Sequence, residues 1–213
     1  LRARKPNLLS RLVQRKLPIL LVLLAAGKIE KILPRTRNDA HRLIEECMLA
    51  ANVCAADLLK RHDHPALYRI HAGPTKEKLT QLRTFLKQIG LTLGGGDTPS
   101  ASDYAELMPK VKARPDAVLI QTMLLRSMQQ AVYSPDNAGH FGLNYEAYTH
   151  FPSPIRRYPD LLVHRAIRSV IRSRRKTDLV RRAGAGVMPK GRIYPYDHQR
   201  LAELGEQCSQ HER

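Results

Sequence analysis

The stretch His150-Phe151-Pro152-Ser153-Pro154-Ile155-Arg156-Arg157-Tyr158-Pro159-Asp160-Leu161 carries three prolines in close succession. Each proline locks φ and removes an amide donor, so neither a helix nor a paired inner strand can run through this part of the chain. The backbone has to turn here, and a helix can begin only around Pro159, where a proline is tolerated in the first turn. Two arginines therefore sit on a stiff turn just ahead of a helix. Each guanidinium offers a fork of donors that matches phosphate oxygens, and helix N-terminal amides strengthen the anion field. The same spacing also suits a capped surface turn in which Arg157 pairs with Asp160. Spacing alone leaves both open.

The rest of the chain is patterned mainly for helices. Asn38 or Asp39 caps a first helix whose Leu43, Ile44, Cys47, Met48, Ala51, Val53, Ala55 and Leu58 form one broad apolar face, fading near residues 62–65. Residues 66–71 read as a strand or extended link. Thr75 caps a second helix that buries Leu79, Leu82, Phe85, Leu86 and Ile89, and Gly90 with the run 94–96 ends it. Ser102 starts a short helix through Val111. Pro115 and Asp116 open another to about Val132, with a stripe of Ala117, Ile120, Leu124, Met128 and Ala131. Residues 140–151 are aromatic-rich and read as strand or irregular sheet edge. After the proline turn, Leu161, Leu162, His164, Ala166, Ile167, Val170 and Ile171 make a helix with a basic C-terminal end. Residues 173–196 read as a mobile loop before a last helix from about 196–198. This is an α+β, helix-dominated pattern without internal repeats.

Charge narrows the partners. With 36 Lys and Arg against 19 Asp and Glu the net charge is +17, a surplus that calls for a polyanion such as nucleic acid or an anionic membrane. Residues 1–28 hold seven basic and no acidic groups, and residues 168–182 hold seven basic groups against Asp178 alone. The second block is a solvated charge run or a guide for phosphates by salt-sensitive contacts. Hydrophobic residues are 43% of the chain, enough for a core, which excludes wholesale disorder. Cys47, Cys54 and Cys208 are too scattered for a disulfide framework or a zinc site, which suits a reducing, cytoplasmic setting. The nine His do not group at ligand spacing either.

Residues 1–27 stand apart. A basic head precedes the apolar run 17–26, as in a secretory signal, yet the run is shorter than the roughly 20 residues that span a bilayer. It also suits a short buried segment. An exported or membrane-associated basic protein is the functional class this segment suggests, with no obligate membrane partner otherwise indicated.

Residues 150–165, ending His164-Arg165, resemble the signature of the ribonuclease II/R family, whose catalytic domain is the RNB domain. Two further stretches carry the resemblance. One is Arg37-Asn38-Asp39-Ala40-His41 with Leu43-Ile44-Glu45-Glu46-Cys47-Met48-Leu49-Ala50-Ala51-Asn52. The other is Gln121-Thr122-Met123-Leu124-Leu125-Arg126-Ser127-Met128, running on to His140-Phe141-Gly142-Leu143. Order and spacing agree over 28–213 and are most similar to the bacterial ribonuclease R branch. Residues 1–27 are not family-like, and Pro152 stands where the family has threonine, so any bond that hydroxyl or amide makes is lost.

The resemblance implies a processive 3′→5′ exoribonuclease that releases nucleoside 5′-monophosphates, with single-stranded RNA as partner, RNA-decay machinery as a further one, and a divalent metal, Mg²⁺, as cofactor. The family holds its metal on an aspartate cluster. Here the ten Asp are scattered and none are adjacent, so the chain looks like the C-terminal part of an RNB domain without the ligands. It is expected to be inactive alone, and a non-catalytic RNA-binding remnant is the alternative. Arg156 matches the catalytic arginine that stabilises charge on the scissile phosphate. Glu46, or its neighbour Glu45, matches a position that bonds a ribose or base near the 3′ end, against a solvated helix face as the plainer reading. Arg157, Ser153 and Tyr158 complete the RNA-binding set; Arg157 equally supports the turn, and Tyr158 equally packs.

Overall fold

A computed structural model describes residues 19–25, 28–35, 38–172 and 189–212. In chain order the elements are β1 (Ile19–Ala25), β2 (Lys28–Arg35), α1 (Asp39–Arg61), β3 (Tyr68–Ile70), α2 (Lys76–Gln88), α3 (Ala101–Lys112), α4 (Ala117–Ser127), β4 (Val132–Ser134), α5 (Tyr158–Arg172), α6 (Lys190–Ile193) and α7 (His198–His211). The architecture is α+β and helix-dominated. β1 and β2 form an antiparallel hairpin from Ile19↔Arg35 to Ala25↔Lys28, with a register shift between Leu23 and Leu24. Most of the apolar run 17–26 is thus strand. Among the described residues no helix is long and apolar enough to cross a membrane.

The helix starts follow local chemistry. Asn38 accepts the His41 amide while His41 Nδ1 accepts the Asn38 amide, a reciprocal cap on α1. Thr75 caps α2 through the Lys78 amide, and Asp197 caps α7 through the Arg200 amide. α3 begins earlier than Ser102: Ser100 is its cap, and Asp103 returns the bond to the Ser100 amide at 2.7 Å.

Two apolar cores result among the described residues. The first joins α2, α3 and α4 with Leu91 and Leu93, around the fully enclosed Tyr104, Leu86, Ile120 and Leu124. The second joins the C-terminal half of α1, Ala66 and Leu67, α5, Tyr194 and α7. α4 stops at Ser127 rather than near Val132. The Met128 and Gln129 carbonyls, which a continuing helix would use, instead accept from Lys78 Nζ (3.2 Å) and His71 Nε2 (2.7 Å). The chain then extends into β4, which pairs antiparallel with β3 through Arg69↔Tyr133.

The broad face expected on α1 is covered only in its second half. Asn52, Ala55, Ala56 and Leu59 are buried, whereas Leu43 (63% exposed) and Ile44 (59%) face outward because no described element packs on the first turns. Residues 140–151 form no regular strand: a 3₁₀ turn at Phe141–Leu143 ends in left-handed Asn144, and isolated bridges join His140 to His71 and Tyr145. Of the loop expected over 173–196, residues 173–188 lie outside the described residues, while Lys190–Ile193 make one helical turn. α7 approaches β4 closely because Gly205 has no side chain; a Cβ there would meet the Tyr133 carbonyl oxygen at 2.7 Å.

Candidate functional site

The proline turn is fastened from both sides. Behind it, Asn52 of α1 donates to the Tyr148 hydroxyl (2.8 Å) and accepts the Phe151 amide (2.8 Å), while His164 of α5 reaches the Phe151 carbonyl (2.9 Å) and stacks on its ring at 4.2 Å. Asn52 is 3% exposed, so its two bonds are satisfied in a dry setting where leaving either group unmade is expensive. Ahead of it, Asp160 is fully enclosed at 0% exposure. Its carboxylate accepts the Ser153 amide (2.8 Å) and a bond from Arg157 Nη2 (2.9 Å), while Arg157 Nε stands at ion-pair distance from the second oxygen, 2.8 Å. The Ser153 carbonyl in turn accepts the amides of Arg156 and Arg157.

The two arginines thereby part company. Arg157 is committed to Asp160 and is the strut of the turn, one of the two arrangements the spacing allowed. Arg156 is exposed, and among the described residues its guanidinium has no ion-pair partner. Ser153 contributes its backbone to the turn, and Ile155 beside it is wholly in solvent. Tyr158 is 41% exposed; its hydroxyl lies 3.5 Å from that of Tyr196, which also accepts from Arg165 (2.8 Å). That hydroxyl contact and burial hold the Tyr158 phenol above its usual range.

Glu45 and Glu46 are exposed on the uncovered half of α1. At 3.6 residues per turn, Glu45 and Asn52 fall on the same face about 10 Å apart along the axis, while Glu46 is turned about 100° aside. Glu45 thus points along the side of α1 that meets the proline turn.

A network that sequence reasoning did not find lies beside the turn. His150 Nδ1 and the Tyr133 hydroxyl are 2.7 Å apart, and that hydroxyl donates to Glu212 Oε1 at 2.7 Å. Glu212 Oε2 pairs with Arg69 at 2.8 Å, and the Arg69 guanidinium sits 4.4 Å over the Tyr133 ring. Burial first, and then Arg157, Arg69, His140 and Arg156, push His150 down to about 3, so the ring is neutral at pH 7. Burial likewise takes His140 to about 3, helped by His71 and Arg69, and lowers His71. Burial and the Glu212 bond raise Tyr133. A cleft of about 420 Å³ opens here, lined by Arg69, His140, Tyr148 and His150 with Leu125 and Met128 at its apolar end. The only available signal was His150 itself, since Glu212 and Tyr133 are 79 residues apart.

A metal fits poorly in what is described: among these residues no three His, Cys, Asp or Glu side chains converge in an arrangement that could hold one. The site can grip an anion and present a neutral imidazole.

A family model described as the RNB domain matches residues 9–173. Ribonuclease R of Vibrio cholerae is 52% identical over 189 residues, covering 89% of this chain and 22% of the relative. Ribonuclease R of Escherichia coli K12 is 47% identical over 189 residues, with the same coverage of 89% and 22%. The chain thus spans about a fifth of the length of the curated relatives it matches. Among solved structures, Mycoplasma genitalium RNase R in complex with ribose-methylated single-stranded RNA aligns with a TM-score of 0.73 at 26% identity, over 92% of this chain and 29% of that one. Yeast Ssd1, described as a pseudonuclease, aligns with a TM-score of 0.62 at 26% identity, over 81% of this chain and 20% of its own.

Proposed function

The chain belongs to the RNB domain family, and on that premise we propose that it is the RNA-holding, C-terminal part (28–213) of a 3′→5′ exoribonuclease catalytic domain of the ribonuclease R type. The observation that carries this is the division of labour on the proline turn. Asp160 immobilises Arg157, and the turn then offers Arg156 to solvent with its backbone already fixed. An exposed guanidinium on a rigid mount can fork onto two phosphate oxygens without the backbone beneath it having to be ordered as well. Charge that develops on a phosphate under attack by water is stabilised there, which is the part of phosphodiester hydrolysis these residues can perform.

The partner is single-stranded RNA, in keeping with the single-stranded RNA held by the Mycoplasma genitalium RNase R of the same fold, and the setting is the cytoplasm. Glu45 or Glu46 of α1 bonds a ribose or base near the 3′ end, and Ser153, Arg157 and Tyr158 line the approach. The products of the whole enzyme are nucleoside 5′-monophosphates. The family implies a divalent metal, Mg²⁺ by expectation, but the described residues do not fit it; they hold phosphate and orient RNA. By itself this chain binds RNA and leaves it uncut.

The likeness to a pseudonuclease favours a second reading, a non-catalytic RNA-binding member. Both are tested with a 3′-extended single-stranded RNA, the purified chain, Mg²⁺ or Mn²⁺, and an Arg156→Ala variant. Salt-sensitive retention of uncut RNA, weakened in the variant, is expected. Mononucleotides that vanish in the variant would mean that this chain carries complete chemistry. A longer polypeptide with the rest of the RNB domain then separates the two readings, because only the nuclease releases mononucleotides.

A further inference from the structure

We infer that Glu212, acting through the Tyr133 hydroxyl, is a positioning residue that fixes the tautomer of His150, so that the bare Nε2 of that ring is left as an acceptor for a ribose hydroxyl in the cleft that His150 lines. The ribose part rests on the RNA reading above; the tautomer part does not.

The argument is a count of hydrogens. The Tyr133 hydroxyl has one, and it goes to the Glu212 carboxylate at 2.7 Å, which can only accept. Toward His150 Nδ1, also 2.7 Å away, the same oxygen can therefore only accept, so Nδ1 carries the proton. A neutral imidazole protonated on Nδ1 is unprotonated on Nε2. His150 lines the 420 Å³ cleft, and Nε2 is the nitrogen left to serve it. The surrounding arginines act on the ring from nearby, Arg156 among them, and they oppose a second proton.

The placement of Glu212 supports a dedicated purpose. It is the C-cap of α7, where the helix dipole disfavours a carboxylate and favours a cation. Arg69 offsets that charge by pairing with Oε2 while its plane lies on Tyr133, which leaves Oε1 for the hydroxyl. An acceptor at the start of the turn that carries an exposed arginine suits a ligand that has a hydroxyl donor close to its phosphate. RNA has that arrangement in every nucleotide, and DNA lacks the 2′-hydroxyl.

The test uses the full chain with ¹⁵N-labelled histidine, reading the tautomer from long-range ¹H–¹⁵N couplings, alongside binding of RNA and DNA oligonucleotides of one sequence. In the unaltered chain His150 is expected in the Nδ1–H form. In Glu212→Ala the freed hydroxyl turns to donate to Nδ1, the proton moves to Nε2, and RNA affinity falls about three- to tenfold toward that for DNA. Glu212→Gln keeps an acceptor oxygen, so it retains the tautomer and the RNA preference although the Arg69 pair is lost. Tyr133→Phe removes the relay, and it serves if Glu212→Ala does not fold. An unchanged tautomer in a folded Glu212→Ala chain overturns the role of Glu212. A changed tautomer with unaltered RNA preference overturns the ribose contact. Absence of RNA binding by the unaltered chain overturns the functional reading and leaves the tautomer result to decide the role of Glu212.

Discussion

The two apolar cores draw on very different lengths of chain. The first is assembled from α2, α3 and α4, neighbours in sequence, and its contacts run from Leu79 to Met128. The second gathers Ala55 and Leu59 of α1, Leu67, Leu162 and Ala166 of α5, and Leu201 and Leu204 of α7. The local core is closed by side-chain shape and carries little polar structure beyond Tyr104 and Ser127, 3.1 Å apart. The long-range core is edged by polar pins: the buried Asn52 to Tyr148 and Phe151 and the buried Asp160 to Arg157, and, nearer the surface, Glu212 to Tyr133 and Arg69. Apolar burial is non-directional, so it can collapse helices without fixing the aim of a turn. Directional bonds do the aiming, and they cluster where the candidate site lies.

That contrast can be broken at its strongest pin. Asp160→Ala leaves Arg157 buried without a counter-charge and the Ser153 amide without an acceptor. A loss of about 3–5 kcal/mol is expected in urea unfolding, with RNA retention lost alongside. Next come paired truncations at two enclosed leucines, Leu124→Ala in the local core and Leu162→Ala in the other. Each should cost about 2–5 kcal/mol. Oligonucleotide binding under conditions where both remain folded should weaken only for Leu162→Ala, whose helix carries Asp160. Equal loss of binding in both would erase the distinction between the cores.

Acid probes the same divide. His71, His140 and His150 all have depressed folded-state values, the last two at about 3, and all lie by the long-range polar region. Below about 6.5 the unfolded chain binds protons that the folded one refuses. The stability contributed by these rings is therefore complete above that value and drains away between about 6.5 and about 3. Denaturation midpoints at pH 7.5 and 5 should show it, and His140→Gln should flatten the slope. The smallest effect is expected at the tip of the turn. Arg156→Ala should change stability by less than about 0.5 kcal/mol while weakening RNA retention. A large stability loss would place Arg156 among the pins.

Legibility in the sequence follows the same line. The caps at Asn38 and Thr75, and the apolar stripe of α2, were readable because capping and periodicity are local. Ser100 and Ser102 are both cap-type residues near the start of one apolar run, and only Ser100 has an acid three residues on, Asp103, to close the cap. The apolar stripe carries α4 on paper to about Val132, past its end at Ser127, since only the distant Lys78 and His71 claim the carbonyls that stop it. Leu43 and Ile44 have a core-like spacing, yet periodicity tells which face is apolar and not whether anything covers it. In the site, the turn and the choice between two roles for Arg157 were visible, and the resemblance supplied Arg156. Tyr133 and Glu212 were invisible because nothing local links a tyrosine in a short strand to an acid at a helix end.

The close seating of α7 on β4 has a further consequence. The Tyr133 amide points away from β3, and Ser209 Oγ accepts it at 2.9 Å while donating to the Gly205 carbonyl at 2.7 Å. A helix thus stands where another strand could add, and this outer border of the small sheet offers no donor at Tyr133 for a second polypeptide to recruit. Gly205 is what lets the helix come near enough. A side chain at that position would lift α7, uncover the strand and convert a shielded border into a template for intermolecular pairing, so self-association should be the first symptom of Gly205→Val.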